Sequence, residues 1–439
     1  MSATVTRRRT SELGLGILAV IVVAAGYLLV QLAKKPDVPP DLWVILAGVL
    51  ALFVGAHLAV RRLAPEADPV LLPLAAFLNG LGFVTVARID PGLGRIQAIW
   101  TAVSVAAFVL TLLFVRRIRT LERYRYTALF LGLFALLLPL APGLGKTING
   151  ARLWVGIGPV NFQPGEAAKV LLVLFFAAYL VDKRELLASG TRRIGRLRVP
   201  EPRHLGPLLL AWGISILVMV RETDLGQAML LFALCGLLLY VATDRFAYVL
   251  FAVVLFVGAS VVAYAAFTHV QTRVQTWVDP FRYANNKGYQ LVQGLFGFAA
   301  GGFGGTGLGL GSPKQIPNAA TDFVFAAVGE ELGLIGTVAV LIALLLFVGT
   351  GLRIAMRADQ PFPKLFATGL TAIIALQSFV IIGGVTRTIP LTGVTLPLIS
   401  YGGSSLIANW VILALLLRIS DDNARGTPSR RAAAAARAP

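Results

Sequence analysis

A handful of stretches combine ionisable, aromatic and hydroxyl side chains at spacings that chemistry can use. The first is Arg273-Val-Gln-Thr-Trp277-Val-Asp279-Pro280-Phe281. A carboxylate beside an aromatic ring and within reach of a cation can act as a general base. Aspartate before proline is equally a turn former, and both readings stand at this point. The second is Gln163-Pro164-Gly165-Glu166-Ala-Ala-Lys169. Pro164 at a first helical position and Glu166 in the first turn make an ordinary helix start. Lys169 is different. It lies one turn deeper, at i+3 from Glu166, so the two can pair on one helical face. A lysine inside a membrane span costs about 2.5–3.5 kcal/mol unless it faces a cavity or a partner. A cavity-facing cation suits an anionic ligand.

The glycine tract from Gly301 to Gly311, ending Ser312-Pro313-Lys314, can form backbone nests that bind anions, or can simply allow tight turns and close packing. It lacks the Gly-Lys-Ser/Thr of a phosphate-binding Walker loop. Asp322 and then Glu330-Glu331 follow at the start of an apolar run. Acidic residues are normal at a helix N-terminus, but the pair at 330–331 is about two turns in, where that account weakens. Finally, Arg387-Thr-Ile-Pro390-Leu-Thr392-Gly393-Val-Thr395-Leu-Pro397-Leu-Ile-Ser400-Tyr401-Gly402-Gly403-Ser404-Ser405 is a polar, Pro/Gly-broken stretch leading into an apolar run. Non-helical backbone at membrane depth survives only when buried in protein or lining a cavity. Its hydroxyls and free amides can position a sugar or phosphate, or the stretch can be a re-entrant packing element.

The elements that must hold these residues follow from composition. Of 439 residues, 57% are hydrophobic and 14% charged, and mean hydropathy is +0.79. A soluble domain carries about a quarter charged residues, so this chain reads as an all-α polytopic membrane protein. A bilayer core of about 30 Å needs about 20 apolar helical residues. Runs of that kind lie near 13–32, 41–60, 69–87, 97–115, 126–143, 164–181, 205–220, 225–243, 246–268, 323–350, 364–383 and 404–418, giving about twelve transmembrane helices. The balance of 39 Lys and Arg against 21 Asp and Glu gives +18. These basic residues sit between apolar runs, so cytoplasmic loops explain them better than nucleic acid does. Placing Arg7–Arg9 inside puts the larger share of the basic residues on that side, with both termini cytoplasmic. Arg7–Arg9 precede an apolar run long enough to span, without a small-residue cleavage site. The single cysteine, Cys235, excludes an internal disulfide framework, and three scattered histidines disfavour a histidine metal site or triad.

The loops differ in character. Residues 183–204 form a basic linker suited to the membrane surface. The chain from 421 to 439, rich in Ala, Arg, Pro and Ser, reads as a disordered cytoplasmic tail. On the external side one long segment, 269–322, carries Trp, Tyr, Phe and many Gly, and is expected to be a large structured loop. Shorter external segments lie at 144–163 and 384–403. No internal repeat is evident, which disfavours an inverted-repeat transporter.

Several of these motifs together resemble a known family. Pro390-Leu-Thr-Gly-Val-Thr-Leu-Pro-Leu-Ile-Ser-Tyr-Gly-Gly-Ser-Ser405 is similar to the signature of the SEDS proteins, the RodA/FtsW/SpoVE group. Phe162-Gln163-Pro164-Gly165-Glu166…Lys169 resembles its Gln-Pro-Ser-Glu…Lys motif, with Gly165 at the usual serine. Trp277-Val-Asp279-Pro280, Tyr289-Gln290 and Thr321-Asp322-Phe323…Glu330-Glu331-Leu-Gly333 follow in the family's order. The likeness begins near Asp68, so residues 1–62 would add two helices to a ten-helix core at 63–420. The long form, with Ile382-Gly383-Gly384-Val385 where many members have an Asn-containing segment, looks like the actinobacterial RodA branch.

The resemblance implies a peptidoglycan glycosyltransferase, in elongation or division. Such proteins polymerise lipid II at the outer face of the cytoplasmic membrane, release undecaprenyl pyrophosphate, and work with a class B penicillin-binding transpeptidase. On this reading Asp279 is the catalytic base. Lys169, Arg273 and Lys314 meet the pyrophosphate, with Glu166 orienting Lys169. Trp154, Asp322, Thr395, Ser400 and Ser404 complete the expected substrate contacts. A divalent cation, Mg or Mn, is expected with the pyrophosphate, while no metal-ligand set is evident in the chain. Membrane lipids are the other partners and nucleic acid is not. Two rival readings remain. A lipid II flippase would use the same cations and grooves without needing Asp279 for glycan synthesis. A non-catalytic scaffold for the transpeptidase would need none of the ionisable residues.

Overall fold

The computed structural model describes residues 3–34, 42–148, 150–158, 160–189, 192–194, 197–199, 202–222 and 224–435. The chain opens with α1 (Ala3–Lys34) and α2 (Leu42–Leu63), then α3 (Leu71–Ile89) and α4 (Pro91–Phe114). Asp90 punctuates the last two. Its side chain accepts from the Gly92 and Leu93 N–H groups, and Pro91 fills a position where no donor is needed. α5 (Arg125–Leu137) precedes three short strands, β1 (Gly145–Ile148), β2 (Ala151–Ile157) and β3 (Val160–Phe162). Next come α6 (Pro164–Asp182), the one-turn α7 (Arg184–Ser189) and the strands β4 (Arg192–Ile194) and β5 (Leu197–Val199). α8 (Pro202–Arg221), α9 (Leu225–Thr243) and α10 (Phe246–Ala266) follow. The remainder is α11 (Thr268–Val278), α12 (Tyr289–Gly301), α13 (Val324–Met356), α14 (Pro361–Val385) and α15 (Gly403–Ala435).

Among the described residues, 10 helices are long and apolar enough to cross a membrane. Two of the expected twelve are shorter. α5 has 13 residues and gives way to a 3-10 turn containing Pro139, and the apolar part of α8 is only Gly206–Arg221. Apolar surface confirms the medium. α10 buries almost none of its residues and presents Leu250, Phe251, Val253 and Val254 outward, a patch that lipid solvates and water does not.

The fold divides into two compact units, one of Met1–Arg116, Thr272–Ile354 and Gln377–Pro439, the other of Arg117–Gln271 and Ala355–Leu376. In the first, α1 packs on α3, α2 on α4, and α4 on α15. Ion pairs tie one end of these helices together. Arg9, one of the basic residues placed on the cytoplasmic side, is buried between Glu12 and the Ala67 carbonyl, and Glu12 also meets His57 Nδ1 at 2.7 Å. Asp421 accepts from the Glu66 N–H at 2.8 Å and pairs with Arg418 and Arg425, while Asp68 pairs with Arg353 at 2.9 Å.

Such contacts anchor the start of the tail expected from residue 421. α15 runs to Ala435, with Asp421 and Asn423 docked on the unit. Residues 436–439 lie outside the described residues.

In the second unit α6 packs on α5 and α9, and α9 on α8 and α10. Short strands accompany the helices here. β1, β2 and β3 form an antiparallel sheet in that order, with Lys146 opposite Trp154 and Val155 opposite Phe162. Positive φ at Gly150 and Gly158 serves its turns. Within the expected linker 183–204, α7 and the antiparallel pair β4–β5 are formed, with residues 190, 191, 195, 196, 200 and 201 outside the described set.

Candidate functional site

In the second unit, β3 runs into α6 through Gln163, with Pro164 starting the helix. One turn on, Lys169 is 1% exposed, and its Nζ lies 3.0 Å from Glu166 Oε2. The i+3 pairing expected from the sequence is therefore formed. Glu166 Oε1 also accepts from Gln227 Nε2 at 2.7 Å. Sequence reading missed Gln227, although an amide in the first turn of an apolar run is a signal of its own. Asp224 caps α9 by accepting from the Gln227 N–H at 3.0 Å, which fixes that side chain's starting point. Trp154 is half-buried on the central strand of the sheet.

Glu222 sits in the turn between α8 and α9, and its carbonyl accepts from the Arg152 N–H of β2 at 3.3 Å. Burial, and then the charge of Asp224, push its carboxyl up to about 8. The folded protein thus retains a proton that the unfolded chain releases near 4.5. Its contribution to stability is complete below about pH 4.5 and is lost as pH rises through about 8. Glu222→Gln is expected to match wild type near pH 5 and to melt higher near pH 9, on the order of a few degrees. Parallel pH dependence of the two thermal midpoints would contradict this.

The first unit holds the remaining candidates. Asp279 is exposed at the C-terminal end of α11. Its N–H bonds the Gln275 carbonyl at 3.0 Å, and its Oδ1 accepts from the Arg282 N–H at 3.3 Å. Arg273, on the same helix, donates to the Thr392 carbonyl at 3.1 Å. Its charge also acts on Asp322. Burial raises the Asp322 pKa, opposed by hydrogen bonds from Thr321 (2.8 Å) and Gln290 (3.3 Å) and by Arg273. Arg273 and Asp322 are thus brought into one electrostatic environment. Lys314 is exposed on a 3-10 turn, Pro313–Gln315.

The stretch 386–402 packs as a non-helical loop whose hydroxyls fold it. Ser400 Oγ donates to the Thr321 carbonyl and accepts from the Leu396 N–H. Thr395 Oγ1 donates to Ser405 Oγ at 2.9 Å, Gln377 Nε2 holds the Thr395 carbonyl at 2.8 Å, and Ser404 is buried in the first turn of α15. The Gly82 backbone lies against that of Ile399, so close that a Cβ there would collide with it.

The glycine tract is not an open anion nest. Thr306 and Gly307 N–H groups bond the Glu330 and Glu331 carbonyls, while Gly309 and Ser312 N–H groups bond their carboxylates. Arg88, which sequence reading missed, pairs with Glu331 at 2.9 Å and holds the Gly309 and Gly311 carbonyls at 2.8 Å. The acidic pair near the start of α13 is thereby explained as the tract's own anchor. Gly333, at φ 64 and ψ −160, kinks α13 beside it. Among the described residues no group of three His, Cys, Asp or Glu could hold a metal ion.

This sequence matches the FtsW/RodA/SpoVE family model, described as a cell cycle protein, over residues 93–425. It is 46% identical over 425 residues to a Mycobacterium tuberculosis (strain ATCC 25618 / H37Rv) protein named peptidoglycan glycosyltransferase RodA, covering 94% of this chain and 90% of that one. A Geobacter metallireducens protein named probable peptidoglycan glycosyltransferase FtsW is 32% identical, over 76% of this chain and 85% of that one. Among solved structures, one described as structural coordination of polymerization and crosslinking by a peptidoglycan synthase complex superposes with TM-score 0.66 at 28% identity. It covers 81% of this chain and 98% of the other. The Thermus thermophilus rod shape determining protein RodA gives TM-score 0.55 at 26% identity, covering 81% and 97%. With motifs, helices and overall sequence all in agreement, the chain belongs to the FtsW/RodA/SpoVE family.

Proposed function

We propose that this multi-pass membrane protein is a peptidoglycan glycosyltransferase that polymerises lipid II at the outer face of the cytoplasmic membrane. The observation that carries the reading is Asp279, a carboxylate left exposed at the end of α11 in a family whose relatives bear that name. In the step assigned to it, Asp279 takes the proton of the acceptor GlcNAc 4-hydroxyl. The oxygen bonds C1 of the donor MurNAc as the C1–O bond to pyrophosphate breaks, inverting the anomeric centre. Undecaprenyl pyrophosphate leaves. Fixed cations lower the barrier by stabilising charge that grows on the leaving group. Arg273 and Lys314 are the candidate cations in the unit of Asp279; Lys169 is a separate, buried candidate in the other unit.

The described residues do not fit a protein-held metal. A Mg or Mn ion would be carried by the pyrophosphate oxygens, and no step here is assigned to one. The excess of basic residues in alternate loops supports cytoplasmic termini and an extracellular site. The likeness to a synthase complex that couples polymerization and crosslinking supports a class B transpeptidase as partner.

The test supplies the purified full chain, with and without such a transpeptidase, with labelled lipid II and a divalent cation. Glycan ladders on a gel are the expected result. Lipid II crossing vesicles without any polymer, under every partner and cation tried, would favour the flippase.

A further inference from the structure

α14 ends in an unusual way. The Thr388 N–H bonds the Gly383 carbonyl at 2.7 Å and the Arg387 N–H bonds that of Gly384 at 3.2 Å. This is the helix-ending motif that places one residue in the left-handed region, a position that ordinarily takes glycine. Here the residue is Arg387, at φ 61. A non-glycine residue held there stays only where its surroundings fix it, and such outliers gather at functional sites.

The left-handed turn aims the guanidinium at the end of α11. Arg387 Nε donates to the Trp277 carbonyl at 2.9 Å and Nη2 to the Val278 carbonyl at 2.7 Å. Trp277 Nε1 returns a bond to the Arg387 carbonyl at 3.1 Å. The last carbonyls of a helix lack intrahelical partners, and a cation there is favoured by the helix dipole. More pointedly, the Val278 carbonyl belongs to the peptide plane that carries the nitrogen of Asp279. Holding that plane sets the direction in which Asp279 leaves the helix. An open cavity of about 460 Å³ lies against the clamp, lined by Trp277, Val278, Leu295, Thr386 and Arg387. Directed hydrogen bonds, rather than dense packing, therefore hold this turn.

From this geometry we infer that Arg387 is the positioning residue of Asp279: a guanidinium clamp that aims the carboxylate without touching substrate. The inference rests on the reading of Asp279 as the base. A misplaced catalytic group loses rate more than affinity, about a hundredfold for a displacement near 1 Å.

Arg387→Gly separates the clamp from the fold, because glycine relaxes the left-handed backbone while removing the guanidinium. Lipid II polymerisation by the full chain is measured for wild type, Arg387→Gly, Arg387→Lys and Asp279→Asn, with thermal midpoints for each. Arg387→Gly is expected to lose about a hundredfold in kcat, with KM within about twofold and a thermal midpoint close to wild type, because relief of the left-handed backbone offsets the lost guanidinium bonds. Added guanidinium ion should restore part of that rate. Arg387→Lys, a point charge in place of a planar fork, should fall between. An Arg387→Gly protein as fast as wild type, beside an inactive Asp279→Asn, overturns this inference alone. So does a variant that loses kcat, KM and thermal stability together. A wild type without polymerase activity, or an Asp279→Asn that retains it, overturns the reading of Asp279 and this inference with it.

Discussion

Asp279→Asn is expected to lower the rate of glycan polymerisation by about 10²–10⁴-fold, the range that a positioned general base contributes. Lipid II affinity and thermal midpoint should hardly move. The substitution is close to isosteric, and the asparagine oxygen can still accept from the Arg282 N–H as Asp279 Oδ1 does. Nothing else in the fold depends on the charge, because the side chain is exposed and forms no ion pair among the described residues. What is lost is the ability to take a proton. Asp322→Asn provides the contrast. Burial raises the Asp322 pKa, and an asparagine oxygen keeps one of the side chain's two bonds, that from Thr321 to Oδ1 or that from Gln290 to Oδ2. Its expected loss is therefore much smaller. Chains made by Asp279→Asn at the wild-type rate would send the search for the base to Glu166 or Asp322.

The sequence made legible what local rules govern. Apolar runs became helices close to where they were expected, since a bilayer-crossing helix needs little beyond length and hydropathy. Lys169 and Glu166 were found together because an i+3 offset puts two side chains on one face whatever the tertiary structure. Contacts between distant segments were not legible. Arg88 and Glu331 are far apart in the chain, and only folding shows that an arginine at the end of α3 and the carboxylates of α13 consume the glycine tract's amides and carbonyls. Gln227 reaches Glu166 across two helices. The β1–β3 sheet was missed because its short strands lack a long alternating pattern, and their stability comes from pairing. Arg387 was passed over for a different reason: glycine, asparagine and aspartate signal a positive φ, and this position has none of them.

Lys169→Met is expected to destabilise the protein by about 3–5 kcal/mol, because it leaves the Glu166 carboxylate buried with only neutral donors such as Gln227 Nε2. The observable is a large fall in thermal midpoint or loss of accumulation. That result alone cannot separate a structural ion pair from a ligand-binding cation. The double variant Glu166→Gln/Lys169→Met can. Replacing a whole buried pair by neutral groups of similar size is often close to neutral in stability, and Gln227 can still donate to the oxygen of a glutamine at 166. The double variant should therefore regain most of the midpoint lost by Lys169→Met. Its polymerisation activity then decides the role of the pair. If Lys169 stabilises the charge that grows on a pyrophosphate, the refolded double variant remains slow by about 10²–10³-fold, the loss typical of removing one electrostatic donor. If the pair only joins α6 to α9, activity returns with the fold. A functional cation must be missed by the reaction even when the protein no longer misses it.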